Sequence, residues 1–144
     1  MPLSSEWKDQ FSGAVVENER LVIRKEPLLT GPDRLMAKYS LRVRWNDTDL
    51  YKHTNYLSYV KFTMDAAQDA VARGHYEGFS GDILQYHVKT IQMLYVAETV
   101  ANDQLTVFSW QSDANRQEIH FSIQRDNDDT TVYQSCIEFY EMDS

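Results

Sequence analysis

The sequence predicts an α+β fold, a single domain in which one long helix lies across an antiparallel sheet of five strands or slightly more. Three observations predict it. Residues 38 to 45 alternate in polarity with the period of a strand. Leu57, Val60, Met64, Ala67 and Val71 then recur at the three-and-four spacing of one helix face. Beyond them come four strand-like runs joined by short polar connections, the arrangement of antiparallel pairing.

The first strand places Tyr39, Leu41, Val43 and Trp45 on one side and Lys38, Ser40, Arg42 and Arg44 on the other. The helix is expected near 56 to 73, with Asn55 as a candidate N-cap and Gly74 where a C-terminal glycine belongs. At about 1.5 Å per residue it is roughly 27 Å long, enough to cover one face of the sheet. The later strands are expected at 82 to 96, 103 to 111, 117 to 126 and 130 to 141. In the first of these Leu84, Tyr86 and Val88 alternate, and SDANR and DNDD mark later turns. Residues 1 to 35 read as an N-terminal extension: ERLVIRKE (19 to 26) has the character of a short strand, and Pro27, Gly31 and Pro32 end that pattern. Trp7, Phe11, Leu21 and Ile23 are its apolar residues for docking on the main domain at 36 to 144.

A chain of 144 residues with 42% apolar and 25% charged residues supports one core and excludes a disordered protein. No apolar run reaches the length of a membrane span, and MPLSSEWKDQ has no signal-peptide core. A lone Cys136 makes no internal disulfide, so cytoplasm is the default expectation, with an organelle matrix left open. The net charge of −8 repels polyanions and argues against nucleic acid as a partner. No phosphate-binding glycine loop, zinc spacing or nucleophile elbow is found, so neither cofactor nor metal is expected.

Chemistry concentrates in WNDTDLYKHTNYLSY, Trp45 to Tyr59, where the strand pattern gives way to the helical one. Residues 47 to 55 aim the chain into the helix. The unpaired amides of the helix start, near Tyr56, are suited to an oxyanion. Asp49 beside them is placed to act as nucleophile or as general base towards water. His53, four residues on, either orients Asp49 or donates to the substrate, while Asp47 holds the loop through backbone amides. Taken singly, each residue also has an ordinary structural reading as cap, turn residue or packed histidine; the combination carries the signal.

The run RVRWNDTDLYKHTNYLSYVKF resembles the signature of the hotdog-fold thioesterases, in particular the 4-hydroxybenzoyl-CoA thioesterase-like group and the related acyl-ACP thioesterases. Their motif reads approximately D-x-D-x-x-x-H-x-N-N-x-x-Y, and Asp47, Asp49, His53, Asn55 and Tyr59 match it. The resemblance implies a single hotdog domain, its long helix wrapped by the sheet, in a homodimer or homotetramer with active sites at the subunit boundary. It gives Asp49 the catalytic carboxylate, the amide near Tyr56 the oxyanion contact, and His53 and Asn55 places lining the site. Tyr56 stands where the second asparagine belongs, Lys52 where a glycine is common, and Tyr51 where the acyl-ACP branch has an asparagine.

The implied activity is hydrolysis of acyl thioesters. Because acyl carrier proteins are acidic, the charge favours acyl-CoA over an acyl carrier protein as substrate. Lys89, Arg116 and Arg125 are candidates for the CoA phosphates, and Tyr59 and His87 for the acyl cleft. A hydratase or dehydratase on the same fold is the alternative, although its D-x-N-P-x-H pattern is not met. A non-catalytic acyl-CoA-binding module is the other.

Overall fold

The computed structural model describes residues 36–49 and 53–141 and the backbone of 15–17. The 19–26 segment and the docking residues expected in the N-terminal extension lie outside the described residues. Six strands form one sheet in the order β1-β3-β6-β5-β4-β2. They are β1 (Val15–Glu17), β2 (Met36–Arg42), β3 (Val88–Tyr95), β4 (Gln104–Gln111), β5 (Glu118–Arg125) and β6 (Thr130–Phe139), and helix α1 (Tyr56–Ala72) falls between β2 and β3. Strands β2 to β6 pair antiparallel as expected. The three-residue β1 adds a parallel edge along Thr90–Gln92 that no sequence pattern announced.

Helix α1 packs on one face of the sheet, against β2 and β4. Its buried side contains Tyr59, Val60, Phe62, Met64 and Val71, with Ala66, Ala67 and Ala70 letting the axis approach closely. Facing them are Leu105, Val107, Ile119, Phe121, Ile123, Tyr133, Ile137 and Phe139, all nearly inaccessible to water. Burying side chains of this size contributes about 1.5–3 kcal/mol each, so this layer supplies most of the driving force for folding. Gly74 ends the helix at φ +74°, its amide donating to Val71 O while the His75 amide returns to Ala70 O.

Two expectations are corrected. The strand assigned from residue 82 starts only at Val88, because Asp82 caps Leu84 N–H at 2.9 Å and folds Ile83–Gln85 into a 3-10 turn. Ile83 is buried there and Leu84 exposed, so the alternation that implied a strand came from a turn. Trp45 does not share the buried side of β2; it is 68% exposed, because Asp47 turns Trp45–Asp47 into a second 3-10 turn.

Candidate active site

The connection between β2 and α1 is built on Asp47. Its side chain is buried, with Oδ2 accepting from Arg44 N–H at 2.9 Å and Oδ1 facing Lys61 Nζ at 3.4 Å. Its carbonyl accepts from Asn55 N–H at 2.7 Å and from Ser58 Oγ at 3.2 Å. One residue thereby ties the end of the strand to the first turn of the helix. Asn55 is the N-cap: its Oδ1 accepts from Leu57 N–H at 3.0 Å, and its carbonyl from Ser58 N–H at 2.8 Å. The Tyr56 N–H, the remaining first-turn amide, has no acceptor among the described residues, and it lies at the positive end of the helix dipole.

Between Asp47 and Asn55 the chain closes on itself. Thr48 and Thr54 form an antiparallel bridge, and Asp49 N–H donates to His53 O at 2.9 Å. The Asp49 Oδ1 accepts from the backbone amide of His53 at 3.3 Å. Asp49 is exposed, held by the loop rather than packed into the core. Its neighbour of interest is therefore the His53 amide, and the imidazole goes elsewhere: His53 Nδ1 lies 3.2 Å from Glu98 Oε2. A carboxylate at Nδ1 fixes the ring and leaves Nε2 as the acceptor or donor facing a substrate.

Glu98 is a residue that sequence reasoning missed. It sits in the segment entering β4, where His53 bridges to Val100 and Thr54 N–H donates to Thr99 O at 2.8 Å. Arg125 Nη1 donates to Glu98 O at 2.7 Å while its other nitrogens hold both oxygens of Asp128. That forked pairing holds the Asp128 carboxyl well below the usual range. It also occupies Arg125, one of the proposed phosphate ligands.

Below the loop lies an aromatic cluster. Tyr59 stacks on Tyr133 with ring centroids 5.3 Å apart, and Tyr95 tilts against both. Tyr59 OH bonds Thr99 Oγ1 at 2.8 Å, and Tyr95 OH donates to Tyr56 O at 2.9 Å. Burial pushes the Tyr59, Tyr95 and Tyr133 phenols up from their ordinary values, so all three keep their protons; Tyr59 and Tyr133 are buried beneath the loop, and the ring of Tyr95 reaches from them to the surface. Trp45, Tyr56, Tyr95, Val96 and Val100 are exposed, giving the loop an apolar rim.

The model of the acyl-ACP thioesterase C-terminal domain family matches residues 32–141. This chain belongs to that family. Among solved structures, it is similar to the probable thioesterase YbaW of Escherichia coli, at 22% identity and a TM-score of 0.59, over 72% of this chain and 80% of that one. It is also similar to an acyl-ACP thioesterase of Bacteroides thetaiotaomicron, at 19% identity and a TM-score of 0.55, over 83% of this chain and 40% of that one. The 12:0-ACP thioesterase of Umbellularia californica matches at 12% identity and a TM-score of 0.62, over 82% of this chain and 52% of that one. This chain thus spans about half the length of those two acyl-ACP thioesterases. No curated protein sequence matches it. The neighbours share the hotdog fold, and the family is one of thioesterases.

In this thioesterase frame the residues expected at the site fall into two groups. Asp47, Asp49, His53, Asn55, Tyr56 and Tyr59 come together at the start of α1. His87, Lys89 and Arg116 do not join them. Lys89 is near the start of β3, about 20 Å by strand rise from Tyr95 at its end, and faces Glu138 at 3.8 Å. His87 precedes that strand, exposed, with its carbonyl accepting from Tyr140 N–H. Arg116 pairs with Glu77 at 3.4 Å beside Gly74 and His75, at the C-terminal end of α1. There it borders a polar cleft of about 340 Å³, a helix length away from Asp49.

Proposed function

We propose that this chain hydrolyses acyl-CoA thioesters, with Asp49 as general base or nucleophile and the Tyr56 N–H as an oxyanion donor. The observation that carries the reading is the loop that brings an exposed carboxylate, a ring held by Glu98 and the first amide of a helix into one short connection. In the general-base form, Asp49 takes a proton from water as its oxygen attacks the thioester carbonyl. Charge on the carbonyl oxygen is met by the Tyr56 amide and the helix dipole. Collapse expels the thiolate, which takes up the proton that Asp49 removed from water, so that the carboxylate is restored and the acid and the thiol leave. His53 and Glu98 are both well exposed, so their pairing aims the ring without adding much stability.

Charge supports the choice of substrate. The chain carries 22 acidic against 14 basic residues, a balance that repels an acidic carrier protein and leaves CoA favoured. The apolar rim supports a second copy of the chain completing the acyl site, in a homodimer or a pair of dimers. The family match itself favours a second reading, hydrolysis of acyl groups on a carrier protein.

The test is a panel of aromatic and aliphatic acyl-CoA and acyl carrier protein substrates, assayed with the unmutated protein and with Asp49→Ala. Hydrolysis of acyl-CoA that disappears in the variant, with acyl-CoA affinity retained, is the expected result. Turnover of carrier-bound substrates alone would transfer the assignment to the second reading, and no hydrolysis across the panel would leave a binding module.

A further inference from the structure

We propose that Glu118, His120 and Cys136 form a binding site for a divalent transition-metal ion of the zinc class, on the sheet face opposite α1. Strands β5 and β6 pair so that His120 stands directly across from Cys136 and Glu118 across from Glu138. With the period of two along each strand, all four side chains rise from the same face. Their neighbours Ile119, Phe121 and Ile137 point the other way, into the core. The donor atoms converge: His120 Nε2 is 2.7 Å from Glu118 Oε1 and 3.8 Å from Cys136 Sγ, and the three ligand atoms lie within 4.8 Å of one another. An ion held tetrahedrally by nitrogen, sulfur and oxygen keeps such atoms about 3.4–3.6 Å apart. Meeting that requirement takes opening the imidazole to carboxylate contact by less than an ångström and closing the carboxylate to thiol separation, at most 4.8 Å, by about an ångström.

The surroundings match an ion site in other respects. Trp110 from β4 stacks on the His120 ring with centroids 5.5 Å apart and planes at 10°, which fixes the ring's direction. Cys136 is buried at the floor, while Glu118 and His120 keep 30% of their side chains exposed, so an ion enters from solvent and meets the thiol last. Without an ion, two glutamates face each other across a ladder, an unfavourable placement for like charges. Asn115 and Lys89 answer the Glu138 side of that pair, and the His120 ring alone answers the Glu118 side among the described residues. A thiolate, an imidazole and a carboxylate select zinc-like ions over magnesium or calcium. Glu138 or water is left to complete the coordination.

A cysteine thiol is ordinarily protonated at neutral pH. Binding therefore exchanges that proton for the metal: the S–H bond breaks, an S–metal bond forms, and one proton leaves to solvent. His120 and Cys136 are 16 residues apart on different strands, which is why no metal spacing is seen in the sequence.

Cobalt titration of the full chain tests the site, followed by the thiolate-to-cobalt charge-transfer band, by quenching of tryptophan fluorescence and by proton release into weak buffer. The expected result is one cobalt per chain, about one proton released per ion, and displacement by zinc. Cys136→Ser removes the charge-transfer band, and His120→Gln, at a half-exposed position that tolerates the change, weakens binding at least tenfold. His53→Gln leaves both unchanged. Absence of saturable binding overturns the proposal, as does a charge-transfer band that survives Cys136→Ser or binding lost in His53→Gln but kept in His120→Gln.

Discussion

Asp47 and Asp49 are two residues apart, yet the structure gives them opposite duties, and substitutions should separate these. Asp47 is 3% exposed and bonded to Arg44 and Lys61. Asp47→Ala leaves a buried amide and an ammonium without a partner, and should lower unfolding free energy by about 2–4 kcal/mol in chemical denaturation. Asp49→Asn, at an exposed position, should change stability by less than about 0.5 kcal/mol while lowering kcat by a factor of about 10² or more with little change in KM. Glu98→Gln should lower kcat by about tenfold or less, because an exposed partner only biases the ring. Asp47, Asp49, His53 and Asn55 were legible because their relations are local, within nine positions of chain. Glu98 was not: it reaches the site through a pairing in which Thr54 and Thr99 are 45 residues apart, and nothing in AETV marks an acid that will meet a histidine.

Among the elements, α1 was the most legible, because capping and termination are written in neighbouring residues. Its bounds, Tyr56–Ala72, are set directly by Asn55 and Gly74. Asn55→Ala should destabilise the protein by about 1 kcal/mol through loss of the Leu57 cap. The same substitution should also lower kcat, since it frays the turn that presents the Tyr56 amide. Short elements were less legible. The turn at Ile83–Gln85 imitates a strand because apolar residues there happen to alternate, and the three residues of β1 are too few for any period to register. The β5–β6 turn adds a pH dependence. The Asp128 carboxyl is held down by Arg125, so its folded value lies below its unfolded one. The associated stabilisation is present above the ordinary aspartate value of 3.8 and is lost as pH falls below it. Denaturation midpoints measured across that range should fall less steeply with acid for Asp128→Asn than for the parent.

For the molecule as a whole, one domain with an antiparallel sheet was evident from composition and pattern, whereas the assembly depends on surfaces that pattern does not describe. The rim of Trp45, Tyr56, Tyr95, Val96 and Val100 predicts that activity requires a second copy. Specific activity should fall on dilution in parallel with the mass measured by light scattering, and a fully active monomer would refute the shared site. The narrow ribbon Val15–Glu17 has a bearing on this beyond its size, for among the described residues it covers β3 at Thr90, Ile91 and Gln92. It acts as a hem on the lateral border of the sheet. Unpicking it, by deleting the first 17 residues, bares hydrogen-bonding backbone along that border and should leave a chain prone to unregulated side-by-side stacking.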